Sequence, residues 1–167
     1  NLQTIVSRNM NLAKNPTVIT VGAINGGNRH NIISEQVEMV GTIRTFSDED
    51  EKQAFKRVRQ IAEKTAESAG TTALVELPYS VHYPVTFNNE ALTAAMLPSL
   101  QKSTGAGNVS VINPITGSED FSFYAQKIPG LYFFLGGLPK GKDPNAAAPH
   151  HTPEFIIDDA AFRTGLN

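Results

Sequence analysis

Two apolar runs on either side of the turn Asn25-Gly26-Gly27-Asn28 constrain this chain more than any other feature. The first, Thr17-Val18-Ile19-Thr20-Val21-Gly22-Ala23-Ile24, is β-branched and dense enough to predict a strand largely buried on both faces. Asn and Gly accept positive φ, so the segment between the runs is strong turn chemistry. In the second run Ile33, Glu35, Val37, Met39, Gly41, Ile43 and Thr45 alternate with polar or smaller neighbours, which predicts a long antiparallel strand.

The flanking segments complete a pattern. Leu2, Ile5, Val6 and Met10 read as the last turns of a helix. Ser47-Asp48-Glu49-Asp50 is a capping box, its carboxylates suited to the positive end of a helix dipole. The helix that follows carries Phe55, Val58, Ile61, Ala62, Thr65 and Ala66 on one stripe and closes at Gly70 as the C′ residue. Residues 72–83 alternate again and predict a third strand, which Pro78 confines to an edge or bulge. Helix tail, strand, strand, helix, strand becomes the ferredoxin-like order βαββαβ once one strand is added in front.

Tyr83-Pro84-Val85-Thr86 reads as a crossover, dividing the chain into domains 1–84 and 85–167. Beyond it, Asn88 or Asn89 caps a helix through Leu92, Met96 and Leu100, which Pro98 must kink or end because it removes a backbone donor. Val109 to Ile112 predicts a short strand. Ser118 is placed to cap a helix from Glu119 to Gln126, and Leu131 to Leu135 is a continuous apolar run expected of a buried parallel strand. Phe155-Ile156-Ile157 predicts a last strand before a final helix, so the second half reads β/α with half a domain's strands. The opening on Asn1 without initiator Met or signal region, and the close just after a new helix start, lead us to expect a fragment. Localisation, cytoplasmic or periplasmic, is therefore left open.

Composition removes several function classes. Fourteen Lys and Arg against 16 Asp and Glu among 167 residues give a net charge of -2, with no bulk attraction for nucleic acid or anionic membrane. An RNA-binding ferredoxin-like domain would want aromatics on its sheet and a basic field, and these strands are aliphatic. The apolar run from Leu131 to Leu138 is far short of the roughly 20 residues of a membrane helix. No cysteine is present, so thiolate metal sites and Cys nucleophiles are excluded within the chain.

Among residues able to carry chemistry, Pro149-His150-His151-Thr152-Pro153 sets two imidazoles in a proline-stiffened loop. A fixed direction suits a metal ligand, and adjacent residues rarely both reach one ion, so at most one of the pair is a candidate. A solvated loop pair is the alternative. Gly117-Ser118-Glu119-Asp120-Phe121 places two carboxylates at a helix start, either for capping or to line a site. Arg44 can clamp a carboxylate through two parallel bonds, while Asn31 sits in turn chemistry. A phosphate loop and a Gly-x-Ser-x-Gly elbow are absent.

Taken in order, Val21 to Gly27, Asn31-Ile32-Ile33, Gly41-Thr42-Ile43-Arg44-Thr45-Phe46, Gly117 to Ser122 and His151-Thr152-Pro153 resemble the aminoacylase/hippurate hydrolase-type metallopeptidases. These include N-acyl-amino-acid and indole-3-acetyl-amino-acid amidohydrolases. The resemblance implies an α/β catalytic domain holding two divalent metal ions, zinc or manganese, with an α+β ferredoxin-like lid inserted in it that joins two subunits into a homodimer. Residues 1–84 would be the end of that lid, and 85–167 the returning part of the two-metal catalytic domain. It implies His151 as a metal ligand, Asn31 and Arg44 as grips on the substrate's carboxylate or carbonyl, and Gly117, Ser118 and Glu119 as lining of the pocket. Between Glu119 and Asp120 it assigns no role. The general-base Glu and the other ligands of such a family are not among these residues, so the resemblance implies an amidohydrolase for small N-acyl amino acids whose present piece is inactive alone. The competing reading is a non-catalytic ferredoxin-like dimerisation module.

Overall fold

The computed structural model describes residues 1–166. They form two compact units, Asn1–Val85 with Ile115–Ser122, and Thr86–Pro114 with Phe123 onward. In the first unit the order is α1 (Thr4–Asn9), β1 (Val18–Gly26), β2 (Val37–Arg44) and α2 (Asp48–Ser68). The two strands form an antiparallel ribbon running from Val18↔Arg44 to Gly26↔Val37. Its register shifts between Val21↔Gly41 and Ala23↔Val40, which leaves Gly22 as the extra residue of a β-bulge.

The ribbon is covered by helices near one end. Ile5 of α1, Ile19 of β1 and Ala54 of α2 are the buried apolar centre, with Val6, Met10, Ile43, Val58 and Ile61 packed around them. Ile19 and Ile43 are cross-strand partners, so one pleat position of each strand feeds this core. On α2 the stripe Ala54, Val58, Ile61 has the spacing of one helix face. Ala54 was not on the predicted stripe, and Thr65, which was, is exposed. Along β1 only Ile19 is buried, against the expectation of a strand buried on both faces. A two-stranded ribbon with helices near one end covers a strand only where a helix lies over it.

Both ends of α2 follow the sequence closely. Ser47 is the N-cap and its Oγ accepts from the Asp50 amide at 3.1 Å. The same hydroxyl donates to Asp50 Oδ2 at 2.6 Å, and Asn15 Nδ2 donates to that oxygen at 2.7 Å. At the other end Gly70 has φ +69, its amide donates to the Glu67 carbonyl, and the Thr71 amide donates to the Ala66 carbonyl. This is a Schellman close, and the left-handed conformation is why glycine stands there.

The Asp50 carboxyl is held below its ordinary pKa, first by the Ser47 hydroxyl, then by Asn15, with Lys14 adding to the effect and burial opposing it. A carboxylate whose folded value is depressed stabilises the fold above its unfolded value, and that contribution disappears as pH falls through the folded one. Asp50→Asn is therefore expected to be less stable than the parent at neutral pH, with the gap closing in strong acid. Urea midpoints measured at neutral pH and in strong acid check this, and a gap that persists in acid would contradict it.

The third strand, predicted at 72–83, does not form a ladder. That segment is instead tied to α2, Arg59 Nη1 donating to the Val75 carbonyl at 2.9 Å and His82 Nε2 lying 2.8 Å from Glu51 Oε1. Strand character is a property of a pair, and an apolar alternation without a neighbouring backbone stays extended but unpaired. The same correction applies to 109–112, 131–135 and 155–157, none of which joins a sheet among the described residues. The architecture is thus mixed α/β with one small antiparallel ribbon.

In the second unit α3 (Glu90–Thr104) starts at Asn89, whose side chain accepts from the Leu92 amide at 2.9 Å. Pro98 lies inside α3 and does not end it. The start of α3 is stitched to an extended segment: Asn88 Nδ2 donates to the Tyr132 carbonyl at 2.8 Å, and the Tyr132 amide donates to Asn88 Oδ1 at 2.7 Å. Helix α5 (Ala160–Leu166) starts where Asp158 Oδ1 accepts from the Ala160 amide at 2.9 Å. No helix among the described residues is long and apolar enough to cross a membrane.

Candidate functional site

Arg44 closes β2 and pairs with Val18. Side chains alternate along a strand, so Arg44 leaves the ribbon on the face opposite Ile43 and the helices. There its Nη1 donates to the Thr116 carbonyl at 2.8 Å and to Ser118 Oγ at 3.0 Å. Arg44 and the Gly117–Glu119 segment, separated in sequence by more than seventy residues, are thus brought together. Ser118 was expected to cap a helix, but its hydroxyl takes the Arg44 guanidinium. The following helix, α4 (Phe121–Ala125), starts later and is shorter than predicted. Its first turn is served by Glu119, whose carbonyl accepts from the buried Ser122 hydroxyl at 2.6 Å.

The neighbouring residues differ in what holds them. Glu119 Oε1 accepts from the Phe121 amide at 3.4 Å, a long local bond, while Asp120 is exposed. A methyl group at Gly117 would meet only Ile115 Cδ1 at 3.8 Å, so packing within this chain does not demand glycine there. Thr116 contributes only its carbonyl, a role no sequence signal could have revealed.

Asn31 is not part of this cluster. It lies exposed in the loop between β1 and β2, at the end of the ribbon remote from Arg44. β2 is eight residues long. At about 3.3 Å per residue, that sets the two ends of the ribbon roughly 25 Å apart. One small molecule cannot touch both side chains of a single chain.

The histidine pair lies in the second unit. His150 is exposed, and its ring meets Phe155 edge-on with centroids 4.7 Å apart. His151 is exposed and has φ 67, a left-handed conformation that few non-glycine residues adopt. Thr152 Oγ1 donates to the Pro149 carbonyl at 2.9 Å and the Phe155 amide to the Thr152 carbonyl at 3.2 Å, which fixes the turn around it. Strained conformations of this kind concentrate at functional sites. As a metal site, however, the donor set is incomplete. Among the described residues no three His, Cys, Asp or Glu side chains stand close enough to hold an ion. An open groove of about 490 Å³ between α1 and α2 is lined by Arg57, Gln60 and Lys64 and contains none of the candidate residues.

The chain belongs to peptidase family M20/M25/M40, whose sequence pattern matches residues 18–166. It is 33% identical over 150 residues to thermostable carboxypeptidase 2 of Saccharolobus solfataricus, covering 90% of this chain and 37% of the relative. It is 36% identical over 161 residues to the N-acetyldiaminopimelate deacetylase of Bacillus cytotoxicus, covering 93% and 42%. It is 34% identical over 163 residues to the N-acetyl-L-cysteine deacetylase of Bacillus subtilis, covering 96% and 36%. The chain therefore spans about two-fifths of the length of these relatives. In structure it is similar to a protein assigned as an aminohydrolase from methicillin-resistant Staphylococcus aureus, with a TM-score of 0.81 at 26% identity over 98% of this chain and 41% of that one.

Proposed function

We propose that this chain is part of a metal-dependent amidohydrolase that cleaves the amide bond of an N-acyl amino acid or a dipeptide-like substrate. The observation that carries the reading is the Arg44 cluster in a chain of this family. Carboxypeptidases and N-acetyl-amino-acid deacetylases have one substrate feature in common, an amide close to a free carboxylate. A guanidinium fixed at the end of a strand is a receptor for that carboxylate, because its planar donors match the two oxygens.

In this reading His151 gives one imidazole to a centre of two divalent ions, zinc or manganese, which supplies Lewis-acid polarisation of the amide. The donors present here do not build that centre alone, so the other ligands and the general-base Glu belong to residues outside this chain, and the chain by itself is inactive. Residues 1–84 form the ferredoxin-like lid, in keeping with the helix–ribbon–helix order, and 85–167 the C-terminal part of the catalytic domain. The lid joins two subunits, which gives Asn31 a substrate to grip although it lies far from Arg44 of its own chain.

The test uses the full-length protein and the 167-residue chain side by side. With zinc or manganese added, the full-length protein is expected to release acetate from N-acetyl amino acids and the chain is not. His151→Ala in the full-length protein is expected to lower kcat/KM by about a hundredfold or more and to weaken metal binding measured by titration. Metal-dependent hydrolysis by the pure chain, or full metal binding by the His151 variant, would overturn this assignment.

A further inference from the structure

The way Arg44 is held leaves one part of it unused. A guanidinium has five N–H donors in a rigid plane, two on Nη1, two on Nη2 and one on Nε. Both Nη1 donors are spent, on the Thr116 carbonyl at 2.8 Å and on Ser118 Oγ at 3.0 Å. The Nε and Nη2 donors have no partner among the described residues, and none of these atoms is buried without one. Of the three donors that remain, Nε–H and one Nη2–H form a side-on edge able to make two parallel bonds to one carboxylate.

We propose that Ser118 is a positioning residue: it does not contact the substrate but, with the Thr116 carbonyl, fixes the Arg44 plane so that its Nε–Nη2 edge receives the substrate carboxylate. The proposal rests on the amidohydrolase reading for the identity of the ligand, but not for the hold on Arg44. An arginine side chain loses much rotamer freedom when it binds. Two bonds made beforehand remove that loss from the binding step, and they settle which edge is offered. The serine hydroxyl can be removed without touching the main chain, so its share is separable from that of Thr116.

The test follows the Arg44 Nε–Hε signal of the ¹⁵N-labelled 167-residue chain by NMR, with N-acetylglycine as the probe and N-acetylglycinamide as its carboxylate-free control. The parent is expected to show slow guanidinium rotation and to shift with N-acetylglycine only. Ser118→Ala is expected to rotate several-fold faster and to bind N-acetylglycine about tenfold more weakly. Ser118→Thr, which keeps the hydroxyl, restores both. Unchanged amide shifts in β1 and β2 show that each variant is folded. If Ser118→Ala changes neither rotation nor affinity while Arg44→Lys abolishes binding, the positioning role is overturned and the carboxylate receptor stands. If Arg44→Lys binds as the parent does, or the parent does not bind, the receptor reading falls, and the rotation of Arg44 in Ser118→Ala still decides whether Ser118 holds it.

Discussion

Replacing Gly41 by alanine is expected to destabilise the first unit by about 2–3 kcal/mol, the scale of forcing an extra carbon into a filled site. A Cβ on Gly41 would run into the Thr20 carbonyl oxygen, with the Thr20 carbonyl carbon at 3.3 Å and Val21 Cα at 3.4 Å behind it. All three are main-chain atoms of the paired strand, so no side chain can swing away. The ribbon must open around Val21↔Gly41, next to the bulge at Gly22. Gly22 supplies the control, because a Cβ there meets only the Val40 carbonyl oxygen at 3.8 Å, an ordinary contact. Gly22→Ala is expected to cost under about 1 kcal/mol, the range of a surface change without a named clash. Urea unfolding of the two variants checks the pair. Equal midpoints would mean that the bulge and its register are wrong.

The second large effect is expected at Asn88. Its amide makes both main-chain bonds of Tyr132, acting as one rung of a ladder that no neighbouring strand supplies. Asn88→Ala removes donor and acceptor together and is expected to cost about 2–4 kcal/mol, since each partly buried group left without this partner loses on the order of 1–3 kcal/mol. Asn88→Asp keeps the acceptor for the Tyr132 amide but turns a second oxygen toward the Tyr132 carbonyl, so it is expected to recover little. Hydrogen exchange at the Tyr132 amide reads this directly and does not require the two units to unfold together. Parent-like protection in Asn88→Ala would show that the rung contributes nothing.

Some of this structure was legible in the residues because its causes are local. Ser47 as N-cap and Gly70 as C′ residue of α2 follow from which side chains can satisfy an orphan amide and which residue tolerates positive φ. The β-branched run from Thr17 and the alternation from Ile33 to Thr45 predicted two strands, and both formed, the second only over Val37–Arg44. Asn89 as a cap was one of two residues considered, and its neighbour Asn88 turned out to work as a substitute for strand pairing. The strands expected at 72–83, from alternation, and at 109–112, 131–135 and 155–157, from apolar runs, failed because such patterns state what a segment can pair with, not whether a partner backbone is present.

The candidate site divides along the same line. Sequence by itself determined the chemical repertoire: an arginine able to clamp an anion, an imidazole in a proline-flanked turn, no thiolates, and a pattern that belongs to the M20/M25/M40 peptidases. It could not determine that Arg44 and Ser118 meet, that Ser118 serves a guanidinium and not a helix, or that Asn31 lies at the far end of the ribbon. Nor could it separate His150, whose ring meets Phe155, from His151, which stands at φ 67, although both are exposed. Residue type, capping and turn preference are set by atoms within a few bonds of each other. The meeting of Arg44 with Ser118 depends on where the chain returns after more than seventy residues, and only tertiary packing decides that.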